Sequence, residues 1–263
     1  IEEERVNLMN PKKHIYKTLG TIAIASLFLF FTANVYSEAT REFTPRVARI
    51  SYLEGSVTIQ RTIDEDWTDA SLNLPLMVGD KIYTGANGRV ELQLDDESVI
   101  RLDSDTYIHI ANLEDTLSRV GILKGTVSVY ASQVSYDRAP IEVQNDSFVA
   151  QINQWGKVRF NVWETGQAQI LARRGDLLVA QGNQSFQLKR GDQLRVDPGQ
   201  ADFEKINQED GFDQWCDLRD AQIVASISRN HINTRVAGYS DMDRYGTWVD
   251  VPDYGTVWRP TVT

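Results

Sequence analysis

The chain has 263 residues, 41% of them hydrophobic and 24% charged, which suits a globular protein and excludes a disordered one. Its 27 Lys and Arg against 37 Asp and Glu leave a net charge of −10; phosphate backbones demand a basic footprint, so nucleic acid is not an expected partner. One cysteine, Cys216, and three scattered histidines, His14, His109 and His231, exclude intrachain disulfides, multi-cysteine metal sites and a paired-histidine zinc site.

Residues 1–8 read as upstream of the folded protein. Met9 opens a short basic stretch to Lys17, and an uncharged run from Leu19 to Ser37 follows. A basic start, an apolar stretch and small residues at a cleavage point predict a secretory signal over 9–37, cut before Glu38. The alternative is an uncleaved membrane anchor, since the run is just long enough to span a bilayer. In either case the positive charge at the amino side predicts export of the remainder.

From Arg46 to Val196 the pattern is period two. Val57-Thr-Ile59, Val90-Glu-Leu-Gln-Leu94, Val99-Ile-Arg-Leu102, Tyr107-Ile-His-Ile110, Val127-Ser-Val129, Val158-Arg-Phe160 and Leu194-Arg-Val196 alternate or nearly alternate apolar and polar residues. Turn residues such as Gly79-Asp80, Asn87-Gly88, Gly175-Asp176 and Gly191-Asp192 punctuate them. Many short strands at this spacing predict a mainly β protein, a sandwich or roll. A weak repeat underlies it: Leu53-Glu-Gly55-Ser-Val57, Leu123-Lys-Gly125-Thr-Val127 and the looser Arg173-Arg-Gly175-Asp-Leu177, with Gly79-Asp80 and Gly191-Asp192 as a second pair. Glycine at each corner supplies a positive φ.

Pro198-Gly199 breaks the β pattern, so 198–209 reads as a linker between a β domain at 46–197 and a carboxyl-terminal part at 210–263. Asp210 or Asp213 is placed to cap one helix running to about Ser228, with Phe212, Trp215, Leu218, Ile223 and Ala225 as its apolar face. After Asn230 the chain becomes rich in aromatics and glycine, in two Tyr-Gly-x-Trp-like units around Tyr245 to Trp248 and Tyr254 to Trp258. This part reads as an irregular tail whose sequence continues in the parent protein.

Residues 46–197 resemble the exported FecR-type domain, named for the ferric-citrate regulator. The resemblance is carried by Leu53-x-Gly55-x-Val57, Gly79-Asp80-Lys-Ile-Tyr-Thr84, Val90-Glu-Leu-Gln-Leu-Asp-Asp-Glu-Ser98, Leu123-x-Gly125-x-Val127 and Gly191-Asp192-Gln-Leu-Arg-Val196. From Phe212 the chain looks like a Tyr-Gly-Trp-rich module that often follows such domains, through Phe212-Asp-Gln-Trp-Cys-Asp-Leu-Arg-Asp220, Gly238-Tyr-x-Asp-Met-Asp-x-Tyr-Gly-x-Trp248 and Pro252-x-Tyr-Gly-x-Val-Trp258. The resemblance implies the exported binding part of a regulator. The segment before the apolar run is too short to fold as an anti-sigma domain.

Asp95, Asp96, Glu97, Asp103 and Asp105 could ligate calcium, yet no EF-hand spacing is present and aspartates are common at hairpin turns for local reasons. No frame organises a nucleophile, and paired carboxylates for glycoside cleavage would need a separation that sequence does not supply. No cofactor, metal site or catalytic residue is therefore expected. His109 alternates with Ile108 and Ile110, which places it on the outer face of a strand. Cys216 reads as a buried small hydrophobe. Tyr239, Tyr245, Trp248, Tyr254 and Trp258 are the candidate binding residues, since flat aromatic faces hold sugars or partner surfaces; the alternative is that they form the module's own core. The expected function is a non-enzymatic envelope scaffold that binds an envelope protein or a cell-wall or outer-membrane glycan. The alternatives are a periplasmic sensory component without its own anti-sigma domain and, less favoured, an envelope glycan hydrolase. The membrane enters only through an uncleaved amino-terminal segment, and the oligomeric state is left open.

Overall fold

Alternation gives most strands one buried face, and these strands close on a shared core. The computed structural model describes residues 48–94, 98–114, 116–132, 140–205, 209–233 and 236–261. The expected signal segment at 9–37 and Asp95, Asp96 and Glu97 lie outside these. Among the described residues no helix is long and apolar enough to cross a membrane.

Seventeen strands among the described residues form one continuous sheet folded into two layers by a single long strand, β9 (Leu117–Ala131). Layer A runs β3 (Trp67–Asp69), β2 (Val57–Gln60), β5 (Lys81–Thr84), β8 (Tyr107–Glu114), the first half of β9, β10 (Ile141–Gln144), β11 (Val149–Ile152), β14 (Leu177–Gln181) and β15 (Gln184–Leu188). Layer B runs β4 (Pro75–Leu76), β1 (Ala48–Glu54), β6 (Arg89–Leu94), β7 (Val99–Leu102), the second half of β9, β12 (Gly156–Val162), β13 (Ala168–Arg174), β16 (Asp192–Asp197) and β17 (Gln200–Lys205). Neighbours are antiparallel except β9 and β10, which run parallel.

Between the layers lies one apolar core. Ile59, Ile82, Ile108 and Ile122 enter it from layer A, and Ile50, Leu92, Leu102, Val129, Phe160 and Ile170 from layer B. Fully burying side chains of this size stabilises by about 1.5–3 kcal/mol each.

The Leu-x-Gly repeat has a structural meaning. Gly55, Gly125 and Gly175, at φ +64°, +104° and +73°, stand at three of the points where the chain passes from one layer to the other: β1 to β2, the two halves of β9, and β13 to β14. At Gly125 a Cβ would fall 2.4 Å from the Thr106 Cα, so positive φ and close backbone approach both require glycine there. The Gly-Asp pair also repeats in three dimensions: Asp80 accepts from the Met77 N–H at 2.8 Å, and Asp192 from the Lys189 N–H at 3.0 Å.

Two expectations are corrected. The linker at 198–209 contains β17, which pairs along its whole length with β16. Pro198-Gly199 is a two-residue hairpin turn with Gly199 at φ +83°, because Pro presets the first turn position and Gly accepts positive φ at the second. The expected irregular tail contains a hairpin, β18 (Gly246–Val251) against β19 (Gly255–Pro260). Its β-branched and aromatic residues, Thr247, Trp248, Val249, Val257 and Trp258, suit an extended backbone.

Helix α1 (Gly211–Val224) is capped by Asp210, whose side chain accepts from the N–H groups of Phe212 and Asp213, while Asp213 reaches back to the Asp210 N–H. The two carboxylates form a reciprocal capping box. The helix ends four residues before the expected stop, ahead of a 3-10 turn at Ser228–Asn230. Its buried face is only partly the expected one: Phe212 and Ile223 are buried as expected, but Leu218 is 67% exposed, and Asp213, Cys216 and Asp220 complete the buried face. A second short helix, α2 (Met242–Tyr245), leads into β18.

Candidate binding surfaces

The outward side chains of layer B include a row of cations. Arg101 on β7 stands opposite Glu91 on β6 and Ser128 on β9, and Ser128 stands opposite Arg159 on β12. Lys157 on β12 and Arg173 on β13 lie beside them. Exposed together, these like charges would repel one another; instead α1 lays its carboxylates over them. Asp220 accepts from Arg101 at 2.5 Å and lies 3.4 Å from Lys157. Asp217 pairs with Lys157 at 2.7 Å, Asp213 with Arg159 at 2.9 Å and with Arg173, and Asp210 with Arg159 at 2.7 Å. Glu91, on the sheet itself, is clamped between Arg101 and Arg219, both at 2.7 Å.

The centre of this contact is dry, while Asp210 and Asp217 at its rim reach solvent. The Arg101 side chain is 0% exposed, under Trp215, which also stacks on Phe212 with ring centroids 5.7 Å apart. Burial alone would raise the Glu91 carboxyl, but the charge of Arg101, the hydrogen bond and charge of Arg219 and the Ser51 hydroxyl hold it down at about 2. Cys216 lies in the same contact, where burial pushes its thiol up to about 11 against the pull of Arg101 and Lys157. Removing one partner from such a pair leaves an uncompensated charge in a dry site, so the clasp is strongly specified even where its net contribution is small.

Where β1 and β6 meet α1 and the carboxyl-terminal segment, a groove of about 750 Å³ opens. Arg49 forms part of its lining, bonding Gln93, Asn73 and Asp241. Asp243 also lines it and accepts from the Ser226 hydroxyl, the N–H groups of Ile227 and Ser228 and the Ser228 hydroxyl. Burial would raise this carboxyl; those donors lower it.

The five aromatics singled out by sequence do not gather into one surface. Tyr239 is 1% exposed. Trp248 and Trp258 face each other across the hairpin and are half-buried. Their indole N–H groups donate to the Ser228 hydroxyl at 2.8 Å and to the Met242 carbonyl at 3.1 Å, and His231 stacks on Trp248 at 4.6 Å. Tyr245, 52% exposed, lines the groove, and Tyr254, 80% exposed, sits at the hairpin turn.

Layer A differs from layer B. Its outer face carries Trp67, Tyr83 and Tyr107, with the Tyr107 ring 5.6 Å from Trp67 and 6.5 Å from Tyr83. Strand register sets Trp67, Gln60, Lys81, His109 and Gly121 in one line across five strands. His109 does point outward, as its alternation predicts, and lies over Gly121, where a Cβ would come within 1.9 Å of its ring. Burial and the Lys81 charge lower its pKa. A cavity of about 270 Å³ opens beside it, walled by Trp163. Trp67, Leu123, Val149 and Leu178 are all exposed on this face. The sequence left it unassigned, although Trp67 and Tyr107 stood in plain view on the polar side of their strands. Among the described residues no three His, Cys, Asp or Glu side chains group as a metal site.

The family described as FecR protein matches residues 80–178, which run from the start of β5 into β14 and take in β9. Those residues match a FecR domain. Two solved structures of a candidate anti-sigma factor from Parabacteroides distasonis are similar to it at 14% and 15% identity, each with a TM-score of 0.42. Each match covers 49% of this chain and 60% of the other, so the chain spans less than two thirds of their length. No curated protein matches.

Proposed function

We propose that the protein is an exported, non-enzymatic binding module of the bacterial envelope, regulatory in class, which engages a protein partner through the outer face of layer A. One observation carries this reading: the chain covers the outer face of layer B with its own helix and leaves the aromatic face of layer A open. Exposed Trp and Tyr are common anchors of interfaces, because they bury a large area at low entropic cost. Co-sedimentation with purified outer-membrane and cell-wall material tests it. Wild type and Leu218→Ala, altered on the outer side of α1, are expected to bind alike, and Trp67→Ala/Tyr107→Ala to lose at least tenfold. Equal binding by the layer A variant would overturn the assignment, and retention by the wall fraction alone would replace the protein partner with a glycan.

The FecR match favours a second, narrower reading, in which layer A contacts an outer-membrane receptor and the protein serves transmembrane signalling. It requires that the partner recovered in the outer-membrane fraction be a receptor.

A further inference from the structure

The groove between β1, β6, α1 and the carboxyl-terminal segment is independent of layer A. Its size lies in the range of small-molecule sites, roughly 300–1,000 Å³, and its lining is polar. Its three carboxylates are already engaged: Glu91 by Ser51, Arg101 and Arg219, Asp241 by Arg49, and Asp243 by Ser226, Ile227 and Ser228. Of its three guanidiniums, Arg49 and Arg219 are paired, whereas Arg244 has no carboxylate partner among the described residues and lies over the Tyr245 ring at 5.8 Å. The groove therefore offers a free cation beside an exposed aromatic face. Gln222, held by Arg219 at 3.0 Å, and Asn73 and Gln93, held by Arg49, fix planar polar groups around it.

We infer that this groove binds an acidic saccharide, with Arg244 taking the carboxylate and Tyr245 the flat face of the sugar. Planar amide and guanidinium groups suit sugar hydroxyls, which both donate and accept hydrogen bonds, and the bidentate geometry of Arg suits a carboxylate. An aromatic ring supplies the apolar contact. Because Asn73, Gln93 and Gln222 are held by Arg49 and Arg219 before any ligand arrives, only Arg244 and Tyr245 are left to be ordered on binding.

Titration calorimetry with two disaccharides that differ in the carboxylate tests this: N-acetylglucosaminyl-N-acetylmuramic acid and neutral N,N′-diacetylchitobiose. The acidic disaccharide is expected to bind at least tenfold more tightly. Arg244→Ala should erase the difference, Tyr245→Ala should weaken both ligands, and Tyr254→Ala, at the hairpin turn, should change neither. Circular dichroism and melting establish that each variant is folded. Equal affinity for the two sugars, no binding by wild type, or unchanged preference in Arg244→Ala would overturn the site. Trp67→Ala/Tyr107→Ala should leave sugar binding intact, which separates this inference from the role given to layer A.

Discussion

The two outer faces of this sandwich come from the same alternating pattern and end in opposite states. On layer B the outward residues are Glu91, Arg101, Lys157, Arg159 and Arg173, and a helix rich in aspartate covers them. On layer A they are Trp67, Gln60, Lys81, Tyr83, Tyr107 and His109, and among the described residues no helix covers them: Trp67 is exposed and Tyr83 and Tyr107 are half-buried. The covered face is ionic and the open face aromatic, the reverse of what burial by hydrophobicity alone would give. The comparison teaches that α1 is specified by charge pairing more than by an apolar stripe. Of its five buried residues two are aspartates, and only Phe212, Cys216 and Ile223 add apolar area.

Breaking the covered face should therefore cost folding, while breaking the open face should cost binding. The largest effect is expected for Arg101→Ala, which takes the buried guanidinium from Glu91 and Asp220 and leaves them only Arg219 and Lys157; about 3–5 kcal/mol should be lost in urea unfolding. Acid comes next. The Glu91 carboxyl falls from an ordinary 4.5 to about 2 in the folded protein, so the stability it supplies is fully present above pH 4.5. It fades as pH falls toward 2, by about 3 kcal/mol in all, and Glu91→Gln should flatten that part of a stability profile measured against pH. Asp243→Ala should cost less, about 1–2 kcal/mol, as expected where a carboxylate that caps a turn is lost. It should loosen the segment around Ser226 and Ser228 in hydrogen exchange while leaving the strands protected. The smallest effect on folding belongs to Tyr107→Ala, which loses an edge contact with Trp67 worth roughly 0.5–1.5 kcal/mol. Loss of several kcal/mol there would show that layer A's aromatics hold the fold together.

Much of this could be read from the residues. Period-two alternation predicts the strands, and the Leu-x-Gly repeat marks the corners, because only glycine fits the close, left-handed crossing at Gly125. Asp210 and Asp213 both offer a cap for α1, and the structure uses Asp210 as the cap with Asp213 reaching back to it. What alternation does not show is which polar face will be covered. Arg101 in Val99-Ile-Arg-Leu102 and Lys81 in Lys81-Ile-Tyr-Thr84 both point away from the core, and only the docking of a distant helix makes the first dry and leaves the second wet. One signal was present in α1 itself: Asp213, Cys216, Asp220 and Ile223 fall on one helical face, which marks two aspartates as inward-facing. Pro198-Gly199 reads as a boundary or as a hairpin equally well until its pairing partner is known. The tail aromatics carry the same composition whether they bind a ligand or pack within the module; composition does not show that the Trp248 and Trp258 indoles donate to Ser228 and Met242.

Cys216 gives the most direct test of the central claim, that α1 is clasped onto layer B. It is the only cysteine in the chain and sits on the buried inner face of α1, so it reacts only when the helix lifts. The rate of thiol labelling at neutral pH, with the protein folded, is the measurement. The account predicts labelling far slower than that of the unfolded chain and at least tenfold faster in Asp220→Ala, where the clasp on Arg101 and Lys157 is cut. Labelling of the wild type as fast as the unfolded chain, or a rate unmoved by Asp220→Ala, would contradict it.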